Sequence, residues 1–261
     1  MKYEFTYGAP PPGVASRSYL FVVSHMRSFS SLLCHILGSH AEIAGYAEAH
    51  QAYADRADLL RLARKVEATI EGPLAGRYVL DKILHGDYAI APAVLERPDV
   101  KVLLMVRNPD DTIPSILHMW RSLAKTMTAA DAVSYYESRL DQIDACSRHL
   151  GGKALYLDAE SLLDRTDTVL AGLARWLGLS RGLSANYRTF KFSGERGFGD
   201  PSPHILAGKV IADVRERHRD YVPVQIPDAL LQRARERYRV RRAALLARHS
   251  TASPSSPAET G

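Results

Sequence analysis

The stretch Tyr19–Gly38, YLFVVSHMRSFSSLLCHILG, decides the fold class. Tyr19-Leu20-Phe21-Val22-Val23 is a short continuous apolar run with the length and β-branched character of a buried strand. Six polar or turn-prone residues follow, Ser24, His25, Arg27, Ser28, Ser30 and Ser31, interrupted by Met26 and Phe29. Leu32, Leu33, Ile36 and Leu37 then recur at helical spacing, and Gly38 stands where a helix stops. Strand, tight loop and helix in that order aim backbone N–H groups at whatever lies above the helix N-terminus. Unpaired donors and the helix dipole both favour an anion there. Arg27 adds a full charge, and Ser28, Ser30 and Ser31 add hydroxyls, so the segment reads as a phosphate cradle. It is not a Walker loop, because both glycines of G-x-x-x-x-G-K-[ST] are missing and Arg27 replaces the lysine.

Outward from this unit, strands and helices alternate without internal repeats. Leu59, Leu62, Ala63, Val66 and Ile70 share one helical face, ended by Gly72-Pro73. Tyr78-Val79-Leu80 predicts a short strand followed by polar Asp81-Lys82, and a short helix is expected around Tyr88–Leu95. Lys101–Val106, KVLLMV, is a second continuous apolar run, typical of a strand covered on both faces. Asn108-Pro109 turns the chain, Asp110 or Asp111 is the expected cap of the next helix, and Thr128 caps another that ends at Gly151-Gly152. Ala154–Leu157 predicts a third strand and Asp167–Leu177 a further helix. The pattern indicates an α/β fold with three α/β/α layers and a mainly parallel central sheet. The expected organisation is one domain over 1–249 and a disordered tail over 250–261, since STASPSSPAETG is poor in apolar residues.

Composition narrows the function classes. Of 261 residues, 46% are hydrophobic and 24% charged, as in soluble globular proteins, and no apolar run approaches the roughly 18 residues of a transmembrane helix. MKYEFTYGAPPPG has no apolar core region and is not a signal peptide. Cys34 and Cys146 lack CxxC spacing, which suits a reduced, cytoplasmic protein. The net charge of +5 is concentrated late: Lys209–His249 holds eleven Lys/Arg against five Asp/Glu. A solvated basic helix accounts for this, with a basic rim around a polyanionic ligand as the sharper alternative. A nucleic-acid partner is not expected.

The second chemistry-bearing segment follows the second apolar strand. Arg107 stands at a strand end and Ser115 eight positions on, in the first turns of the next helix, where a guanidinium and a hydroxyl could grip a second phosphate. Here HMRSFSSLL resembles the phosphosulfate-binding loop of the sulfotransferase family, with Phe29 at the usual glycine position. VLLMVRNPDDTIPSIL is similar to that family's Arg-Asn-Pro segment with its serine eight residues later. ALYLDAESLL resembles the family's tyrosine-glutamate-aspartate-leucine segment, and GFGDPSPHILAGKV its glycine-containing, cofactor-closing loop. The resemblance spans Tyr19–Val210 in the family's order.

The resemblance implies transfer of a sulfuryl group from 3′-phosphoadenosine 5′-phosphosulfate (PAPS) to an acceptor hydroxyl or amine of a small molecule, leaving adenosine 3′,5′-bisphosphate (PAP). It implies Arg27, Ser28, Phe29, Ser30 and Ser31 around the 5′-phosphosulfate, with Arg27 stabilising the leaving group, and Arg107 and Ser115 on the 3′-phosphate. No Asp follows an apolar strand in a Walker B arrangement, so no metal is expected. Glu48 is the favoured acceptor base and His50 the second candidate, with Lys82 and His85 also open as the base and Lys82 equally as a group that positions the sulfuryl oxygens. A P-loop nucleotide kinase or hydrolase is the alternative enzyme, lacking its Walker lysine and magnesium carboxylate here. A catalytically inactive nucleotide-binding protein is the other alternative, suggested by Phe29.

Overall fold

The computed structural model describes residues 17–70, 74, 76–195, 203–212 and 224–252. Six parallel strands lie in the order β2-β3-β1-β4-β5-β6. They are β1 Ser18–Val23, β2 Ile43–Ala44, β3 Tyr78–Ile83, β4 Val100–Val106, β5 Ala154–Asp158 and β6 Ser250–Thr251. The first apolar run thus takes the centre of the sheet, because a continuous apolar strand needs cover on both faces. Tyr19, Phe21 and Val23 face one layer, with α2 (Arg56–Thr69), α3 (Pro92–Leu95), α4 (Pro109–Ser122), α5 (Ala129–Ser147) and α8 (Asp228–Arg248). Leu20 and Val22 face the other, with α1 (Ser30–Gly38), α6 (Ser161–Asp164) and α7 (Thr166–Leu177). The architecture is three-layer α/β/α.

The strand order reverses at β1: the chain builds β2 and β3 to one side and β4, β5 and β6 to the other. In open α/β sheets ligands bind beyond the strand carboxyl ends at such a switch point. Hydrogen bonding of β1 to both β3 and β4 brings the segments after Val23, Ile83 and Val106 to one sheet edge. Gly45, at φ 109°, turns the chain off the end of β2 in a conformation that favours glycine. A Cβ there would meet the Leu80 carbonyl oxygen at 2.5 Å.

Several local expectations are corrected. Strand β3 runs on through Asp81 and Lys82, both buried, because each charged group finds partners inside the fold. The short third helix starts only at Pro92, whose fixed φ suits a first helical position. Asn108, not Asp110 or Asp111, caps α4, accepting the Asp111 N–H at 2.8 Å. Helix α5 opens on the Thr128–Asp131 capping box and ends at Ser147, ahead of the 3₁₀ turn Gly151–Lys153. The tail boundary also moves. Ser250–Thr251 pair with Leu155 and Tyr156, and Ala252 is buried against α7, where a Cβ on Gly172 would come within 1.9 Å of its carbonyl oxygen. The rest of the expected tail, 253–261, lies outside the described residues, as do 197–202 of the glycine-containing segment.

The basic C-terminal helix is not simply solvated, and residues 213–223 of the basic region lie outside the described residues. Six of its seven arginines pair with acids on the elements beneath: Arg233 with Glu137, Arg235 with Asp110, Arg237 and Arg241 with Asp141, Arg242 with Asp158, and Arg248 with Asp144, while Arg239 pairs with Glu236 on the helix itself. Exposed pairs contribute little each, but Asp144 is buried and takes Arg148 at 2.7 Å, Arg241 at 3.1 Å and Arg248 at 2.5 Å. Burial pushes the Asp144 carboxyl up, yet Arg248 and Arg148 outweigh it and hold it below its ordinary 3.8. No helix of the described residues is long and apolar enough to cross a membrane.

Asp144→Asn is expected to lower stability by about 1–2 kcal/mol at pH 7, as charge-assisted bonds to partly exposed arginines are lost. A carboxyl depressed by folding stabilises above its unfolded value and loses that contribution as pH falls through the folded one. The gap between wild type and variant in urea denaturation should therefore close as pH falls below about 4.

Candidate active site

The loop Ser24–Phe29 joins β1 to α1 with two non-glycine residues in the left-handed region, Arg27 at φ 62° and Phe29 at φ 61°. Each such residue costs about 1–2 kcal/mol and persists only where surroundings dictate it. Here they do. Ser24 Oγ lies 2.6 Å from both Ser28 Oγ and the Met105 carbonyl, and Ser28 Oγ donates to the His25 carbonyl at 2.8 Å. The Met26 N–H donates to Tyr135 Oη at 2.7 Å, and Arg139 donates from two nitrogens to the Ser24 carbonyl at 2.7 and 3.2 Å. His25 is fully buried; its Nε2 accepts the Arg107 N–H at 3.0 Å, which leaves Nδ1 to donate to the Met26 carbonyl at 2.8 Å. Burial pulls this imidazole down to about 3, so it is neutral at physiological pH.

The loop delivers α1 with its N-terminus open. Helices α2, α4 and α5 carry side-chain caps from Asp55, Asn108 and Thr128, whereas α1, like α3, α6, α7 and α8, has none, and α1 also has no acidic residue in its first turn. The Leu33 N–H is satisfied within the helix by the Phe29 carbonyl at 3.0 Å, and the N–H groups before it face the loop. Lys82, from the end of β3, reaches this first turn, its Nζ donating to Ser31 Oγ at 2.8 Å with a fully buried side chain. A buried ammonium and an uncapped helix start form an anion-receptive centre.

Arg107, only 4% exposed, forms a second centre beside the first. Its Nη1 donates to the Arg27 carbonyl at 2.9 Å, its Nη2 meets Asp111 at 3.2 Å, and its guanidinium carbon lies 4.2 Å over the Phe29 ring. Its Nε is buried with no partner. Burial pulls the guanidinium down from its ordinary value, only partly offset by Asp111. Arg27 Nε donates to Ser115 Oγ at 3.0 Å. The structure thus brings Arg27, Phe29, Arg107 and Ser115 together, with the Arg27 side chain on the Ser115 side and Lys82 at Ser31.

The candidate bases sit at the same edge. Glu48 places Oε1 3.2 Å from Lys82 Nζ and Oε2 4.0 Å from His50 Nδ1. The intervening Ala49 is pinned at both ends, its N–H donating to Asp81 at 2.8 Å and its carbonyl accepting from Lys65 at 2.7 Å. Asp81 also accepts from Tyr53 Oη and the Lys82 N–H, and burial raises its carboxyl to about 6. His50 is exposed and meets Tyr88 edge-on, as does His85, whose imidazole burial pulls down. Among the described residues no group of three or more His, Cys, Asp or Glu side chains could hold a metal ion.

Sequence reasoning missed His25, Asp81, Tyr135, Tyr136 and Arg139, which hold the site rather than face it. Tyr136 Oη donates to the Arg107 carbonyl at 2.7 Å, and Glu160 accepts from Asn108 N and Nδ2 at 2.8 and 2.6 Å. Only the pair Asp81-Lys82, two charges after an apolar strand start, carried a local signal. His25→Ala is expected to cost about 1–3 kcal/mol by stranding the buried Arg107 N–H, and His25→Gln less. An imidazole at about 3 folded against an ordinary 6.5 stabilises fully above 6.5 and progressively less as pH falls toward 3. Unfolding free energies between pH 7 and pH 4.5 should therefore fall more steeply for wild type than for His25→Gln.

No protein-family model matches the chain, and no curated protein matches it. Solved structures do. The sulfotransferase domain from the curacin biosynthetic pathway is 16% identical over 85% of this chain and 98% of its own, with a TM-score of 0.57. A sulfotransferase from Alicyclobacillus acidocaldarius is 17% identical over 89% of this chain and 95% of its own, with a TM-score of 0.51. At such identities the likeness is one of architecture: the chain has the sulfotransferase fold.

Proposed function

We propose that this protein is a sulfotransferase that moves a sulfuryl group from PAPS to a hydroxyl or amine of a small-molecule acceptor, leaving PAP. The observation that carries this reading is the pairing of two anion-receptive centres at one sheet edge, the open N-terminus of α1 with Lys82 and the buried Arg107 with its orphaned Nε. The donor's two separate anionic groups suit two such centres. When bound, the donor supplies an activated sulfur whose bond to the bridging oxygen breaks as the acceptor's bond to sulfur forms.

The chain's own residues then position and stabilise, which is most of catalysis in transfers of this kind. The first-turn amides with Ser30 and Ser31 hold the 5′-phosphate, and Lys82 sets its charge against the leaving oxygen. Arg107 and Ser115 hold the 3′-phosphate, and Arg27, hydrogen-bonded to Ser115, lies between the two groups. Glu48 takes the acceptor's proton; Ala49, held by Asp81 and Lys65, fixes the segment that carries it. His50 flanks Glu48 and is the second base. With two cationic centres neutralising the donor, no divalent metal is needed.

A mass-shift screen for sulfated products over phenols, sugars, lipids and peptides, with PAPS as donor, tests the activity; no product with any acceptor class counts against it. PAP should raise the melting temperature without divalent metal, by the equivalent of about 2.7 kcal/mol at 100 times its Kd. Absence of a shift at saturation removes the donor assignment. Glu48→Gln should cut turnover by about 10²–10⁴ while leaving PAP affinity nearly unchanged. If His50→Ala abolishes turnover and Glu48→Gln does not, the proton goes to His50.

A further inference from the structure

Phe29 occupies a backbone position that disfavours it. At φ 61° and ψ 14° it is in the left-handed region, where a residue with a Cβ is strained and glycine is not. Yet the loop runs as a glycine would let it run, and the Phe29 carbonyl still opens the helix by accepting the Leu33 N–H at 3.0 Å. The side chain is half-buried, and its ring lies 4.2 Å beneath the guanidinium of Arg107.

That guanidinium is already held in part. Arg27's carbonyl takes Nη1 and Asp111 takes Nη2, while Nε remains buried and unpartnered. Two contacts at the Nη end leave rotation about the line joining them, and a ring 4.2 Å from the guanidinium carbon restricts it. An aromatic ring at this distance also attracts the cation without competing for its donors, as a further carboxylate would. Resting on the donor reading above, we propose that Phe29 is a positioning residue for the 3′-phosphate. It fixes the plane of Arg107 so that the free Nε edge is presented to the anion, and the strain at residue 29 is the cost of that orientation.

The test compares PAP with adenosine 5′-monophosphate, which lacks the 3′-phosphate, by calorimetry on the full chain. Wild type, Phe29→Gly, Phe29→Leu, Phe29→Tyr and Arg107→Ala are measured side by side, and melting without ligand reports folding separately. Phe29→Leu keeps an apolar side chain and the backbone constraint but not the ring. It should weaken PAP by about 3–10-fold, the scale of a cation–π contact, while changing the monophosphate by less than about twofold. Phe29→Gly should do the same despite relieving the backbone, and Phe29→Tyr should retain wild-type selectivity. Arg107→Ala sets the full loss of selectivity.

A general loosening of the loop would weaken both ligands together, and that result overturns the proposal. So does wild-type selectivity in Phe29→Leu. A wild type that binds neither ligand, or does not distinguish them, instead removes the donor reading, and the positioning role with it.

Discussion

The loop after β1 does not hold its shape alone. Two non-glycine residues in the left-handed region, Arg27 and Phe29, cost together about 2–4 kcal/mol. Ser24, Ser28 and His25 bond within the loop, and the remaining contacts come from outside it. The neutral imidazole of His25 takes the Arg107 N–H, Tyr135 takes the Met26 N–H, and Arg139 takes the Ser24 carbonyl. Tyr135, Tyr136 and Arg139 all belong to α5, so docking of that helix is a precondition for the loop's geometry. Helix α5 is held in turn by α8, through Glu137, Asp141 and the buried Asp144. A charged seam on the back of the molecule thereby supports the geometry at the sheet edge.

This dependence explains which parts were legible from residues alone. Tyr19–Val23 and Lys101–Val106 were readable as strands because strands covered on both faces must be continuously apolar. The loop was readable because its serines and Arg27 interrupt that pattern just where a helix begins. Asp81 and Lys82 misled for the same reason. Two charges ordinarily end a buried strand, but these are satisfied by Tyr53, Ser31 and Glu48, partners tens of residues away that no window reveals. Ser250–Thr251 carries no apolar signal at all; it joins the sheet because β5 offers an unpaired edge and Gly172 leaves room for the backbone.

The site residues divide along the same line. Arg27, Arg107 and Ser115 were legible as candidates because their chemistry fits an anion and each stands at a strand end or helix start. Their arrangement was not. Spacing separates the two motifs by about eighty residues, while the switch point at β1 sets Arg27 Nε against Ser115 and Arg107 against Arg27's own carbonyl. Phe29 read as a defect because a glycine was anticipated; in three dimensions its ring is a contact that glycine could not make. His25 read as a loop polar residue, whereas its burial and two fixed partners make it part of the frame.

Net charge is a poor guide to local charge at the sheet edge here. Among the described residues, most arginines of α8 are paired with acids of α4, α5 and β5, and screening over about 8 Å at physiological salt limits what remains at a distance. What counts at the sheet edge is local. Helix α4 begins beside Arg107 with two acids in its first turn, Asp110 and Asp111, which favour the helix dipole but would repel an anion held there. Both are occupied. Asp111 faces Arg107, and Asp110 is taken by Arg235 reaching across from α8. Through Arg235, α8 therefore pairs a carboxylate beside the candidate site, while Lys82 and Arg107 are partly offset there by Glu48 and Asp111.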